Sequence, residues 1–263
     1  MEQAQETNRQ LPDFNSELLG GNLPVNNVLF YPCSGNDIVD AIFYFYPIVD
    51  TFFFCDVTRI SNIAGTDRKI KEKLPDLDLS KSVEECLWEK NTDERPRRRR
   101  DVNGREQIIE PPLYRTKTTK LTRIWRNEKE SKEITIIRVV GDGYNVFSSD
   151  EILKEIGIFF YRGDSYGEGG SDVRWLETEN DRDRCYDGRG GKHFDVVLQK
   201  IANKGLIVTD GSNCGDEYNF LRQYHEKTVT KGTNTFKCIG KITPRRGSTL
   251  VWQIEKNSAC SVG

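Results

Sequence analysis

Histidine is nearly absent: His193 and His225 are the only two in 263 residues, and neither has a partner that the sequence identifies. A His-based acid–base mechanism is therefore not proposed for this chain. Cysteine occurs seven times but never as a CxxC pair. That pattern implies neither a disulfide framework nor a zinc site, and it predicts free thiols in a reducing cytoplasm. No apolar run reaches membrane-spanning length, because the longest apolar-rich stretch, 38–54, is broken by Asp40, Pro47 and Asp50. The opening residues MEQAQETNRQLPDFNS are polar and of mixed charge, unlike a secretory leader. An excess of one charge is also lacking. The chain has 39 Lys and Arg against 41 Asp and Glu, a net −2, which excludes whole-surface polyanion binding but not a local patch. With 30% charged and 10% aromatic residues, the composition is that of a folded globular chain.

What is present is an alternation of short apolar runs and helical spacings. After a polar lead-in at 1–24, residues 28–31 read as a buried strand that stops at the turn Pro32-Cys33-Ser34-Gly35. Asn36 or Asp37 is placed to cap a helix whose apolar face is Ile38, Val39, Ala41, Ile42 and Phe45. Residues 51–55 form a second strand that ends at Asp56, completing a βαβ unit. The charged stretch that follows predicts a helix at 83–90 and an exposed basic insertion at 91–112. Strand composition returns at 119–126 and 133–140, joined as a hairpin through 127–132, and Gly141-Asp142-Gly143 closes it. A short turn at 150–155, a strand at 156–161, a helix at 194–203 capped by Gly205, a strand at 206–210, a helix at 216–224 and a closing hairpin of 235–241 with 248–255 complete the chain.

This order predicts an α/β fold, a three-layer sandwich in which a mostly parallel twisted sheet carries helices on both faces and a C-terminal antiparallel hairpin. One such domain is expected over 25–263. Open sheets of this kind bind ligands at the carboxyl ends of their strands, where the strand order reverses.

The segment VLFYPCSGNDIVDAI, the strand FFFCDV, the stretch KHFDVVLQKIANKGLIVTDGSN and the final FKCIGKITPRRGSTLVWQIEK together resemble the class I S-adenosylmethionine-dependent methyltransferases. The likeness lies mainly in the order of elements. Of the family's glycine-rich first motif only Gly35 stands here, with Tyr31-Pro32 where its acid is expected. The Asn/Asp-Pro-Pro-Tyr/Phe motif of amino-methylating members is replaced by Tyr161-Arg162-Gly163-Asp164. The resemblance implies a Rossmann-like fold, S-adenosylmethionine as cofactor and methyl transfer to an unidentified acceptor. It leaves open a non-catalytic nucleotide-sensing or protein-interaction module on the same fold, and a third reaction, cleavage of S-adenosylmethionine.

The candidate residues follow the strand ends. Gly35 lets the backbone approach a ligand, and Asp56 stands where an acid accepts bonds from two ribose hydroxyls. Pro32, Ser34, Asp37 and Asp142 complete the cofactor set, Asp142 facing an adenine amine. Asp164 and Glu168, in a loop with four glycines after the 156–161 strand, are the catalytic candidates as general base or amine-orienting acids. Arg162, Ser165 and Tyr166 are the substrate-binding candidates, with Trp175 as a second aromatic. Ordinary turn chemistry accounts for the same glycines and acids equally well in kind. Cys33 and Ser34 lack a visible base and are set aside as nucleophiles. The run from Arg95 to Arg100, within a segment carrying net +4 over 94–105, is either a solvated loop or a contact for nucleic acid or another polyanion.

Overall fold

The computed structural model describes residues 11–32, 34, 35, 37–56, 62–90, 97–100, 106–109, 115–141, 146, 147, 153–162, 192–209, 220, 221, 228–242 and 249–257. The first βαβ unit is β1 (Val28–Pro32), α1 (Val39–Phe45) and β2 (Thr51–Asp56). It continues into α2 (Ile63–Lys73), β3 (Asp78–Lys90), β4 (Arg97–Arg100), β5 (Glu106–Ile109), β6 (Arg115–Asn127) and β7 (Lys132–Val140). The second half holds β8 (Ile156–Tyr161), α3 (Lys192–Lys200), β9 (Ile201–Thr209), β10 (Thr228–Lys231), β11 (Asn234–Ile242) and β12 (Thr249–Lys256).

Ten strands form one sheet in the order β10-β11-β12-β9-β8-β1-β2-β7-β6-β3, and β4 and β5 form a separate two-stranded ribbon. The expectation of a mostly parallel sheet is corrected: the large sheet is mixed, with four parallel pairings and five antiparallel ones among the described strands. The parallel block is β7, β2, β1, β8 and β9. Taken in chain order, these strands stand third, second, first, fourth and fifth, which is the doubly wound arrangement. The strand order therefore reverses between β1 and β8.

The centre of the sheet is built from aromatic strands buried on both faces. Alternation sends Phe30, Phe53 and Phe159 to one side and Tyr31, Phe54 and Phe160 to the other. On the first side Phe30 stacks on Phe147 with centroids 4.6 Å apart, and α3 contributes Phe194 and Val197. On the second, Tyr31 meets Phe160 at 4.7 Å, and α1 contributes Val39, Ala41, Ile42 and Phe45. Phe14 and Leu19 of the lead-in join this second cluster. Phe14 N–H also donates to Lys241 O at 2.7 Å, so the chain packs on the sheet well before β1.

Three further expectations change. Residues 83–90 lie in strand β3, because backbone pairing to β6 overrides local preference. Over 78–85 this outer strand is exposed, Leu79 and Val83 included, so that stretch has no buried face to read from composition. The insertion at 91–112 contains the β4–β5 ribbon, so it is not a plain loop. Gly205 does not cap a helix. It lies within β9, where a Cβ would come 2.6 Å from Ile201 and 2.9 Å from the carbonyl of Gly157. The helix and strand join directly at Lys200 and Ile201. The expected elements at 150–155 and 216–224 fall largely outside the described residues.

Gly157 in β8 is the tightest position of the sheet, since a Cβ there would lie 1.7 Å from Asn26 O. Gly157→Ala is expected to cost about 2–3 kcal/mol and to lower the thermal midpoint by roughly 5–10 °C; an unchanged midpoint would show that the 24–27 segment yields freely. A second expectation concerns Tyr46, whose hydroxyl donates to Glu130 at 2.7 Å and accepts from Asn127 at 3.1 Å. Burial, helped by that bond to the carboxylate, pushes the phenol up from 10.0 to about 12. The raised value means that the folded state holds a proton the unfolded chain has released. Stability tied to Tyr46 is thus intact below pH 10 and lost as pH rises from 10 to 12. Denaturant titrations across that window should show a shallower alkaline decline for Tyr46→Phe than for wild type, and equal slopes would contradict the linkage.

Candidate functional site at the carboxyl edge of the parallel strands

The turn after β1 folds back on the end of β2. Ser34 N–H donates to Cys55 O at 3.2 Å, and Gly35, at φ 50°, donates its N–H to Asp56 Oδ2 at 2.6 Å. A left-handed glycine is what lets this backbone point its amide at the neighbouring strand's acid. Ser34 is itself buried. Gly141, just past β7, donates to the backbone carbonyl of Asp56 at 2.9 Å. The glycine turn, the acid and the start of the 141–143 turn thus meet at one edge, as the sequence predicts for Ser34, Gly35 and Asp56. Pro32 closes β1 beside them.

Two arginines organise the charge. Arg138, in β7, is buried and donates from Nη2 to Gly35 O at 3.1 Å. Burial pushes its guanidinium pKa down, while the carboxylates of Asp56 and Asp67 act in the opposite sense. Asp67, from α2, pairs with Arg123 of β6; burial nevertheless leaves its carboxyl above the usual range. Arg138 was not among the sequence candidates. Its signal was present, as a lone charge inside the apolar run ITIIRVV.

Arg162, just after β8, reaches over to the β1–α1 turn. Its Nη1 donates to Asp37 Oδ2 at 3.0 Å and lies 3.7 Å from Asp40. Its Nε donates to Thr249 Oγ1 at 3.2 Å, and the guanidinium lies over the Phe160 ring at 5.4 Å. The buried Nη2 has no hydrogen-bond partner. Asp37 consequently does not cap α1, whose N-cap is Ile38 without a side-chain bond. The nearby cation engages the acid instead.

Asp142, Asp164, Ser165, Tyr166 and Glu168 lie outside the described residues, as do Cys33, Trp175 and His225. Among the described residues no group of three or more His, Cys, Asp or Glu could hold a metal ion, and no helix is long and apolar enough to cross a membrane. Cys55 and Cys238 are buried, and burial pushes the Cys238 thiol up to about 12.

A cleft of about 640 Å³ opens at the opposite, amino edge, lined by Val28, Thr51, Lys154, Glu155 and Lys200 among others. Its best-placed cation is already engaged: Lys200 Nζ donates to the carbonyls of Phe147 at 2.6 Å and Leu153 at 2.8 Å. These bonds tie Phe147 and Leu153 to α3.

No protein-family model and no curated protein matches the chain. Among solved structures, an rRNA methylase from Streptococcus thermophilus is similar at 9% identity and a TM-score of 0.38, over 92% of this chain and 94% of that one. The class comes from the chain's own strand order: an open, mixed α/β sheet of doubly wound type whose order reverses between β1 and β8.

Gly35→Ala tests the turn. The added Cβ would lie 3.9 Å from Asp56 Oδ2, an ordinary contact, so the cost arises from the positive φ alone. That cost is about 1–2 kcal/mol, a fall of roughly 2–8 °C in thermal midpoint. No change would mean that the turn relaxes without loss.

Proposed function

We propose that this chain binds S-adenosylmethionine in the crevice between β1 and β8 and is a methyltransferase-like protein with helices layered on both faces of its sheet. The observation that carries the reading is the bond from Gly35 N–H to Asp56 at 2.6 Å, which joins the end of β1, the strand beside which the order reverses, to the end of β2. An acid at the end of the second strand is suited to hold ribose hydroxyls, and a left-handed glycine after the first allows close approach of the ligand. Methyl transfer asks further for in-line placement and a proton acceptor; Asp164, two residues beyond Arg162, is our choice for the latter.

A second reading is a module that keeps the fold and the crevice without chemistry. It is favoured by the same contact, because the Asp56 carboxylate is engaged by the chain's own backbone and Asp37 by Arg162. Calorimetry separates the two. The first reading expects binding of S-adenosylmethionine or its demethylated product. It also expects a loss of roughly ten-fold or more in Asp56→Ala, the value of a charged hydrogen bond, with Asp56→Asn intermediate because it retains an acceptor for Gly35. No binding by wild type at millimolar ligand overturns the cofactor assignment and leaves the module.

A further inference from the structure

The basic run falls in the stretch of chain between β3 and β6, whose pairing runs past the main sheet. Strand β6 pairs with β7 only from Lys120 to Asn127, Lys120 standing opposite Val139. Its pairing with β3 continues beyond, from Thr119 opposite Cys86 to Arg115 opposite Lys90. Five residue pairs thus extend past the last β6–β7 pair, about 17 Å at strand rise. They extend past the carboxyl edge, since Val140 at that end is paired with Asp56. The chain between β3 and β6 carries the β4–β5 ribbon.

Within the ribbon, Arg97, Arg98, Arg99 and Arg100 stand opposite Ile109, Ile108, Gln107 and Glu106. Strand alternation assigns Arg97 and Arg99 to one face and Arg98 and Arg100 to the other. One acid, Glu106, stands across from the four arginines, on the Arg100 face. The ribbon is therefore basic on both faces. A flat acidic surface, whether a protein or a membrane, engages one face of a ribbon. A duplex groove has phosphates along both walls and admits a two-stranded ribbon. The residue type fits as well, since the arginine fork pairs with phosphate in bidentate fashion.

We infer that the β4–β5 ribbon is an interface for double-stranded nucleic acid, entering a groove and contacting phosphates of both walls. It rests on strand register and charge and does not require an S-adenosyl ligand. The test uses the full chain with no such ligand present, so its failure is distinct from failure of the cofactor reading. Fluorescence anisotropy with labelled DNA and RNA duplexes of about two helical turns should show affinity falling roughly 100-fold between 50 and 200 mM salt, as expected for about four phosphate contacts. The pairs Arg97→Ser/Arg99→Ser and Arg98→Ser/Arg100→Ser should each lower the salt slope by about 1 to 2, with thermal midpoints kept near wild type. Preference between the DNA and RNA probes identifies which duplex is bound. Equal affinity for phosphatidylserine vesicles or polyglutamate, absence of duplex binding by wild type, or loss confined to one face of the ribbon would each overturn the inference.

Discussion

Strand β1 is hydrogen-bonded to β2 on one edge and to β8 on the other, and its residues Leu29, Phe30 and Tyr31 are almost wholly removed from water. A strand held in this way cannot slip by one residue without exchanging its two faces, which would move Phe30 and Tyr31 into opposite clusters. Its register therefore fixes where its carboxyl end falls. Everything at that edge follows from this placement: the Ser34 turn reaches Cys55, Gly35 reaches Asp56, and Arg162 at the end of β8 reaches back to Asp37. The described residues at this edge are thus placed by core packing and strand register.

Among the described residues at this edge, the arginines and acids meet one another or the chain's own backbone. Arg138 lies between the glycine turn and the two acids that oppose its desolvation. A buried guanidinium held by a backbone carbonyl and carboxylates serves orientation more than net stability, because removing it from water offsets much of the attraction. Arg162 has the same character across the crevice, with acids on the turn side and Thr249 on the β12 side. A ligand entering here would meet polar groups that are already oriented, a setting in which little reorganisation opposes binding.

The parts of the fold that could be read from the sequence were those whose burial leaves a pattern. The runs 28–31, 51–55 and 156–161 are nearly continuous apolar stretches because parallel strands are covered on both faces, and α1 shows its face through Ile38, Val39, Ala41, Ile42 and Phe45. Gly35 and Asp56 were legible as punctuation at strand ends, and the structure brings them together. The rest left no such pattern. Strand β3 presents Leu79 and Val83 to solvent, so its charged sequence suggested a helix. Strand β10 is short and mostly exposed, and the Gly232 turn joining it to β11, at φ 57°, was the signal that went unused. Gly205 looked like a helix cap because sequence cannot show that Gly157 lies 2.9 Å from where its Cβ would be. Arg138 was missed for a related reason: its role depends on β7 lying beside β2, a pairing between distant parts of the chain.

The proposed ligand site lies at the carboxyl edge and not in the cleft of about 640 Å³ at the amino edge. Hydrogen–deuterium exchange with and without S-adenosylmethionine addresses this directly, because the two sites fall in different peptides. Slower exchange is expected in peptides spanning 32–38 and 54–57, with the Gly35 amide the most protected, and no change at 153–155 or 199–201. Protection confined to 153–155 and 199–201, with the Gly35 turn unaffected, would contradict it.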